Sequence, residues 1–126
     1  MVNEATTLRH MRFDIAEKTR KIELLEAMIR DFRSTAANLA REIGAEEERT
    51  RIKDPNHVAY STLAKALAMR RGKLLMSAAD VEMRLLAARR EVDEATAMAS
   101  REVENAAAAG SMMEFGRMDD QASHAA

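Results

Sequence analysis

Apolar residues recur in steps of three and four along two long stretches of this chain, with one short break between them. The first series is Leu8, Met11, Ile15, Ile22, Leu25, Ile29, Phe32, Ala36, Leu39 and Ile43, interrupted only by Lys18. The second is Leu67, Leu74, Ala78, Val81, Leu85, Ala88, Val92, Ala95 and Ala99. The break, Lys53-Asp54-Pro55-Asn56-His57, holds the only proline. A repeat averaging 3.5 residues keeps an apolar seam turned toward a partner helix. Two such seams and one break predict an all-α fold, a long antiparallel two-helix coiled-coil hairpin. Such a hairpin offers surface and length to a partner rather than a cavity for chemistry.

The register follows by arithmetic. If the chain reverses at Pro55, residues whose numbers sum to about 110 lie opposite one another. Placing a at Leu8, Ile15, Ile22, Ile29, Ala36 and Ile43 puts d at Met11, Lys18, Leu25, Phe32, Leu39 and Glu46. In the second stretch d falls at Leu67, Leu74, Val81, Ala88 and Ala95, and a at Arg71, Ala78, Leu85, Val92 and Ala99. The mirror then sets Ile43 against Leu67, Ala36 against Leu74, Ile29 against Val81 and Ile22 against Ala88. It also sets Leu25 against Leu85 and Phe32 against Ala78. Every a meets a d, as antiparallel pairing requires, and the bulkiest side chain meets one of the smallest, which fills a seam without overpacking. At 1.5 Å per residue each arm would run roughly 65–75 Å.

Local signals place the boundaries. Asn3 and Thr6 can each cap the first helix through a side-chain oxygen, which then runs over about residues 4–51. Gly44 inside it costs about 1 kcal/mol relative to alanine. The loop covers about 52–60 and the second helix about 61–108. Asp54-Pro55 and Ser61 compete as its start, with His57 to Tyr60 able to form a turn of its own. Gly110-Ser111 is expected to end it, leaving 109–126 as a flexible tail. In that tail Met112, Met113, Phe115 and Met118 could form a segment that folds on binding, or an unstructured end.

Composition narrows the function classes. The chain has 126 residues, 33% charged and 3% aromatic, with no cysteine and a formal net charge of −1. That composition belongs to a coiled coil rather than a globular core, and the balanced charge offers no global attraction for nucleic acid or an anionic membrane. Without cysteine there is no disulfide framework or thiolate metal site. The first residues hold no continuous apolar run of the kind a secretory signal needs, and no stretch approaches the roughly 18 apolar residues of a transmembrane helix. A cytoplasmic protein is expected.

One feature stands outside the seam. Met69, Met76 and Met83 recur every seven residues, with Ala79 and Leu86 filling the steps between and Gly72 leaving a gap. They occupy f and b positions, facing away from the first helix, where adaptable methionines suit a docking surface. The alternative is that they are simply good helix formers, or that the phase drifts and brings them into the seam. Arg70, Arg71 and Lys73 form a basic cluster near the loop, with Arg49, Arg51 and Lys53 close by. This cluster fits an acidic partner or a nucleic-acid backbone, or a solvated face balanced by Glu46, Glu47 and Glu48. No aromatic residues interleave with it to stack bases. Asp54 reads as a cap, His57 as loop packing, and Lys18 as a side chain that snorkels from the seam or sets its register. No histidine pair has metal spacing and no carboxylate pair has a shaped, dry site. No catalytic residue, cofactor or metal is expected.

The loop Asp54-Pro55-Asn56-His57-Val58-Ala59-Tyr60, continued by Ser61-Thr62-Leu63-Ala64-Lys65-Ala66, resembles the flagellar export protein FliJ family as found in alphaproteobacteria. The segment from Ile22 to Phe32 and the pair Arg70-Arg71 are similar to that family too, and the likeness spans roughly Arg12 to Ala95. The chain departs from the family at its ends, closing on Ala106 to Ala109 and a Met-rich segment. The resemblance implies a non-enzymatic antiparallel coiled coil of the flagellar type III export apparatus. Its implied partners are the export ATPase and the export gate, with export chaperones and substrates cycling through them. It also implies a cytoplasmic protein, peripheral to the membrane through its partners. The resemblance assigns no individual contact residues. The sequence itself nominates Met69, Arg70, Arg71, Met76, Met83 and Leu86 as partner-binding. A generic helical adaptor, a nucleic-acid-binding arm and an interfacial membrane helix are the competing classes.

Overall fold

The computed structural model describes the backbone of residues 3–125 and the side chains of residues 3–112. It holds two helices, α1 (Glu4–Thr50) and α2 (Thr62–Ala125), and no strand among the described residues. The expected all-α helical hairpin is the observed fold. Contacts divide the chain into two compact units, one of Lys21–Ala88 and one of the residues through Arg20 together with those from Arg89 onward.

The Lys21–Ala88 unit is the loop end of the hairpin and contains every buried apolar residue among those described. One cluster joins Leu25 and Ile29 of α1 to Val81, Leu85 and Ala88 of α2, with Ile22, Met28 and Phe32 packed against it. All but Met28, which sits one residue before Ile29 and outside the seam positions, belong to the layers that the mirror sum assigns. Leu39, Ala36 and Ala78 are buried at further a and d positions, while Ile43, Leu67 and Leu74 are half-buried. Each helix offers only a narrow apolar stripe, so alternating large and small side chains across the seam is what closes it. An ion pair from Arg33 of α1 to Glu82 of α2 flanks the seam.

Two residues next to the loop extend the frame beyond the second apolar series. Tyr60 is buried, and Ala64 is fully buried at 0% exposure. Counting back by sevens from Leu67 and Ala78 makes Tyr60 a d and Ala64 an a. Tyrosine beside a loop and one alanine among several give little apolar signal, which is why the apolar series begins only at Leu67.

The helix ends have specific chemical causes. Asn3 caps α1, its Oδ1 accepting from the Thr6 N–H at 2.8 Å, so Thr6 is inside the helix. At the other end Thr50 Oγ1 donates to the Glu46 carbonyl at 3.1 Å, and Arg51 leaves the helix with φ 63°. That left-handed step is the usual helix terminator, here taken by a residue with a Cβ instead of glycine. The loop is a pair of turns. His57 N–H donates to the Asp54 carbonyl and Tyr60 N–H to the His57 carbonyl, each at 3.0 Å. Asp54 Oδ1 also accepts from the Asn56 N–H at 3.0 Å, and His57 Nδ1 from the Ala59 N–H at 2.9 Å. Asp54 therefore caps a turn, and Ser61 caps α2, its Oγ accepting from the Ala64 N–H at 3.2 Å.

The unit formed by the chain ends keeps the same heptad but not the same burial. Leu8, Met11, Ile15 and Lys18 on α1, and Val92, Ala95, Ala99 and Ala106 on α2, are all half-buried. Lys18 occupies its d position by bending out to Asp14, with Nζ 2.8 Å from Oδ2. Hydrogen bonding to that carboxylate, helped by the charge of Glu91, raises the Lys18 pKa against a smaller opposing effect of desolvation.

The expected stop at Gly110-Ser111, and with it the division at residue 109, is corrected. The backbone of α2 stays helical to Ala125. Glycine ends a helix by entering the left-handed region, and among the described residues no glycine has positive φ. In a helical conformation Gly110 costs only about 1 kcal/mol, and it follows Ala106 to Ala109, the strongest of helix formers. Met112 is exposed. Met113, Phe115 and Met118 lie outside the described side chains.

Candidate functional site

The outer face of α2 within the Lys21–Ala88 unit carries a continuous apolar stripe. Met69, Met76 and Met83 are 67%, 70% and 64% exposed, and Leu86 is 49% exposed. Gly72 and Ala79 lie between them and are exposed as well. Successive f positions rise about 10 Å along the helix, and the b residues fill the intervals. The methionines therefore do not join the seam, whose own α2 positions are Ala78, Val81, Leu85 and Ala88.

The other nominated residues, Arg70 and Arg71, are exposed but do not share that face. At about 100° per residue they step off Met69 by roughly 100° and 200° around the helix. Four of the six nominated residues thus form one surface, and the two arginines flank it on another side. The wider basic cluster also separates. Arg49 pairs with Glu46 at 2.5 Å, and Lys53 lies 3.7 Å from Glu48. No ion pair among the described residues takes up Arg70, Arg71 or Lys73. The α2 part of the cluster remains available to an acidic group, while Arg49 and Lys53 are engaged by carboxylates of their own.

Sequence reasoning missed a polar clasp at the loop end. Tyr60 Oη donates to Glu47 Oε2 at 2.9 Å, and Ser61 Oγ donates to Glu46 Oε1 at 2.8 Å. Both bonds tie the end of α1 to the start of α2. The Arg49 guanidinium, followed by the Ser61 hydroxyl, lowers the Glu46 pKa to about 2. Burial, followed by hydrogen bonding to Glu47, raises the Tyr60 pKa. The available signal was Glu46 at a d position opposite Ala64, where a carboxylate has room but needs hydrogen-bond donors. The members of the clasp are hydrogen-bonded or ion-paired to one another.

Among the described residues no three histidine, aspartate or glutamate side chains gather as a metal site, and no helix is long and apolar enough to cross a membrane. No family model matches the chain, and no curated protein or solved structure matches it significantly.

Proposed function

We propose that this chain is a non-enzymatic coiled-coil component of the flagellar type III protein export apparatus. In this reading it binds the export ATPase and the export gate and assists the cycling of substrates and their chaperones. It acts in the cytoplasm, and at the membrane only through those protein partners. The reading rests on the likeness of the Asp54–Tyr60 loop and the Ser61 helix start to the FliJ family. The observation that carries it furthest is the exposed Met69–Met76–Met83 stripe on the outer face of the hairpin. Such a surface supports docking.

A second reading, a nucleic-acid-binding helical arm, draws on the unpaired Arg70, Arg71 and Lys73. The net charge of −1 weighs against it, since phosphate-backbone binding is driven by excess cations. Affinity capture of the full chain from motile cells separates the two. Salt-tolerant recovery of an ATPase and an export-gate component supports the export reading. Salt-sensitive recovery of RNA without either protein overturns it in favour of the arm.

A further inference from the structure

The outer stripe of α2 is complementary to itself in the antiparallel sense. Residues whose numbers sum to 155 pair large with small: Met83 with Gly72, and Met76 with Ala79. Met69 pairs with Leu86 at each end. Every f position thereby meets a b position, the same pairing rule that closes the internal seam around a sum of 110. An axis midway between residues 77 and 78 relates the two halves, which is the symmetry an isologous two-fold contact requires.

The flanking charges obey the same axis. Residues beside an antiparallel seam meet their counterparts at a sum two lower or two higher. On the lower side Lys73 meets Asp80, and the two-fold makes that pair twice, while Ala66 meets Ala87. On the higher side Leu75, another exposed leucine, meets Glu82 and can lie along its aliphatic stem. Neither Lys73 nor Asp80 has an ion-pair partner within the described chain. A parallel pairing does worse on both counts. It sets Gly72 against Gly72 and Ala79 against Ala79, which leaves voids, and it brings no opposite charges together. Nothing in the chain occupies the place a Cβ on Gly72 would take, so the gap is available to a methionine from outside.

We propose that a second copy of this chain covers the stripe, in an antiparallel dimer with Met83 over Gly72, Met76 over Ala79 and Lys73 paired with Asp80 across the axis. The inference rests on the stripe alone and does not need the export partners. A monomeric chain that still captures the ATPase sinks the dimer and spares that reading, and a dimer that captures neither export protein does the reverse.

Sedimentation of the full chain from about 1 µM to about 1 mM tests it, a range that covers weak to moderate association. A concentration-dependent dimer is expected, and a monomer throughout overturns the proposal. Lys73→Glu and Asp80→Lys should each weaken dimerisation about tenfold, because each creates two like-charge contacts. The double variant K73E/D80K should restore it to within about threefold of the original, since both pairs are re-formed with signs exchanged. Failure of the double variant to restore association overturns the antiparallel register. Gly72→Leu should abolish the dimer while raising helicity, since leucine is the better helix former and meets nothing in its own chain. Dimerisation of that variant at the original strength would overturn the placement of Met83.

Discussion

The Lys21–Ala88 unit and the unit built from the two chain ends share one heptad frame but differ in what occupies it. In the first, a and d positions carry Leu25, Ile29, Leu39, Val81 and Leu85, all buried. In the second the same positions carry Leu8, Met11, Ile15, Lys18, Val92, Ala95, Ala99 and Ala106, and none of its described residues is buried. Periodicity decides which face of a helix turns inward, but not whether water is excluded there: Ile22 with Ala88 and Ile15 with Ala95 are the same pair of side chains, and only Ala88 is buried. A regular repeat is therefore a statement about direction, and only loosely one about stability.

The largest effect expected from this contrast is at Ile29. Ile29→Ala removes a core residue from the buried cluster and should cost about 2–5 kcal/mol, while Met11→Ala at a half-buried site should cost clearly less. Urea unfolding followed by circular dichroism measures both, and equal losses would erase the distinction between the units. Amide hydrogen exchange should rank them in the same order, with slower exchange around Ile29 and Val81 than around Ile15 and Ala95.

The next effect runs in the opposite direction. Ala95→Leu would place a larger side chain opposite Ile15, making a layer like that of Leu25 and Leu85, and should stabilise the chain by about 1 kcal/mol. No change in the urea midpoint would mean that volume is not what the end unit lacks. Arg51→Gly should also add about 1 kcal/mol, because glycine enters the left-handed conformation at φ 63° without a Cβ clash. A fall in melting temperature for that variant would argue that the arginine side chain matters more than its backbone.

The smallest effect is one of pH. Glu46 ionises near pH 2 in the folded chain against an ordinary 4.5, so as pH falls the unfolded chain takes up its proton first. Its contribution is complete above about pH 4.5 and is lost as pH falls toward about 2. Glu46→Gln should flatten the stability profile across that window and lower stability modestly at neutral pH. An unchanged acid limb would show that the clasp with Arg49 and Ser61 does not persist in solution.

Much of the fold was legible because it depends on local and periodic signals. The seam of Leu25, Ile29, Val81 and Leu85 and the outward turn of Met69, Met76 and Met83 followed from counting residues. The clasp of Tyr60, Ser61, Glu46 and Glu47 was not legible in the same way. Its bonds join residues 13 and 15 apart, across a loop whose path depends on two turns and a left-handed Arg51. The continuation of α2 past Gly110 was not legible either, because glycine is a weak local signal. It stops a helix only where the backbone enters a conformation that letters alone do not reveal.

The sequence alone determined the two helices, their antiparallel register and the face each turns inward, because heptad spacing and one proline act through short-range geometry. It also nominated the outer stripe. Only the tertiary structure decided which capping signal starts α2, since Asp54 and Ser61 are both competent and the choice depends on where the loop delivers them. It also decided that the loop-end unit buries its seam while the end unit does so only in part, since burial depends on how closely two facing stripes approach and not on the letters of a layer alone.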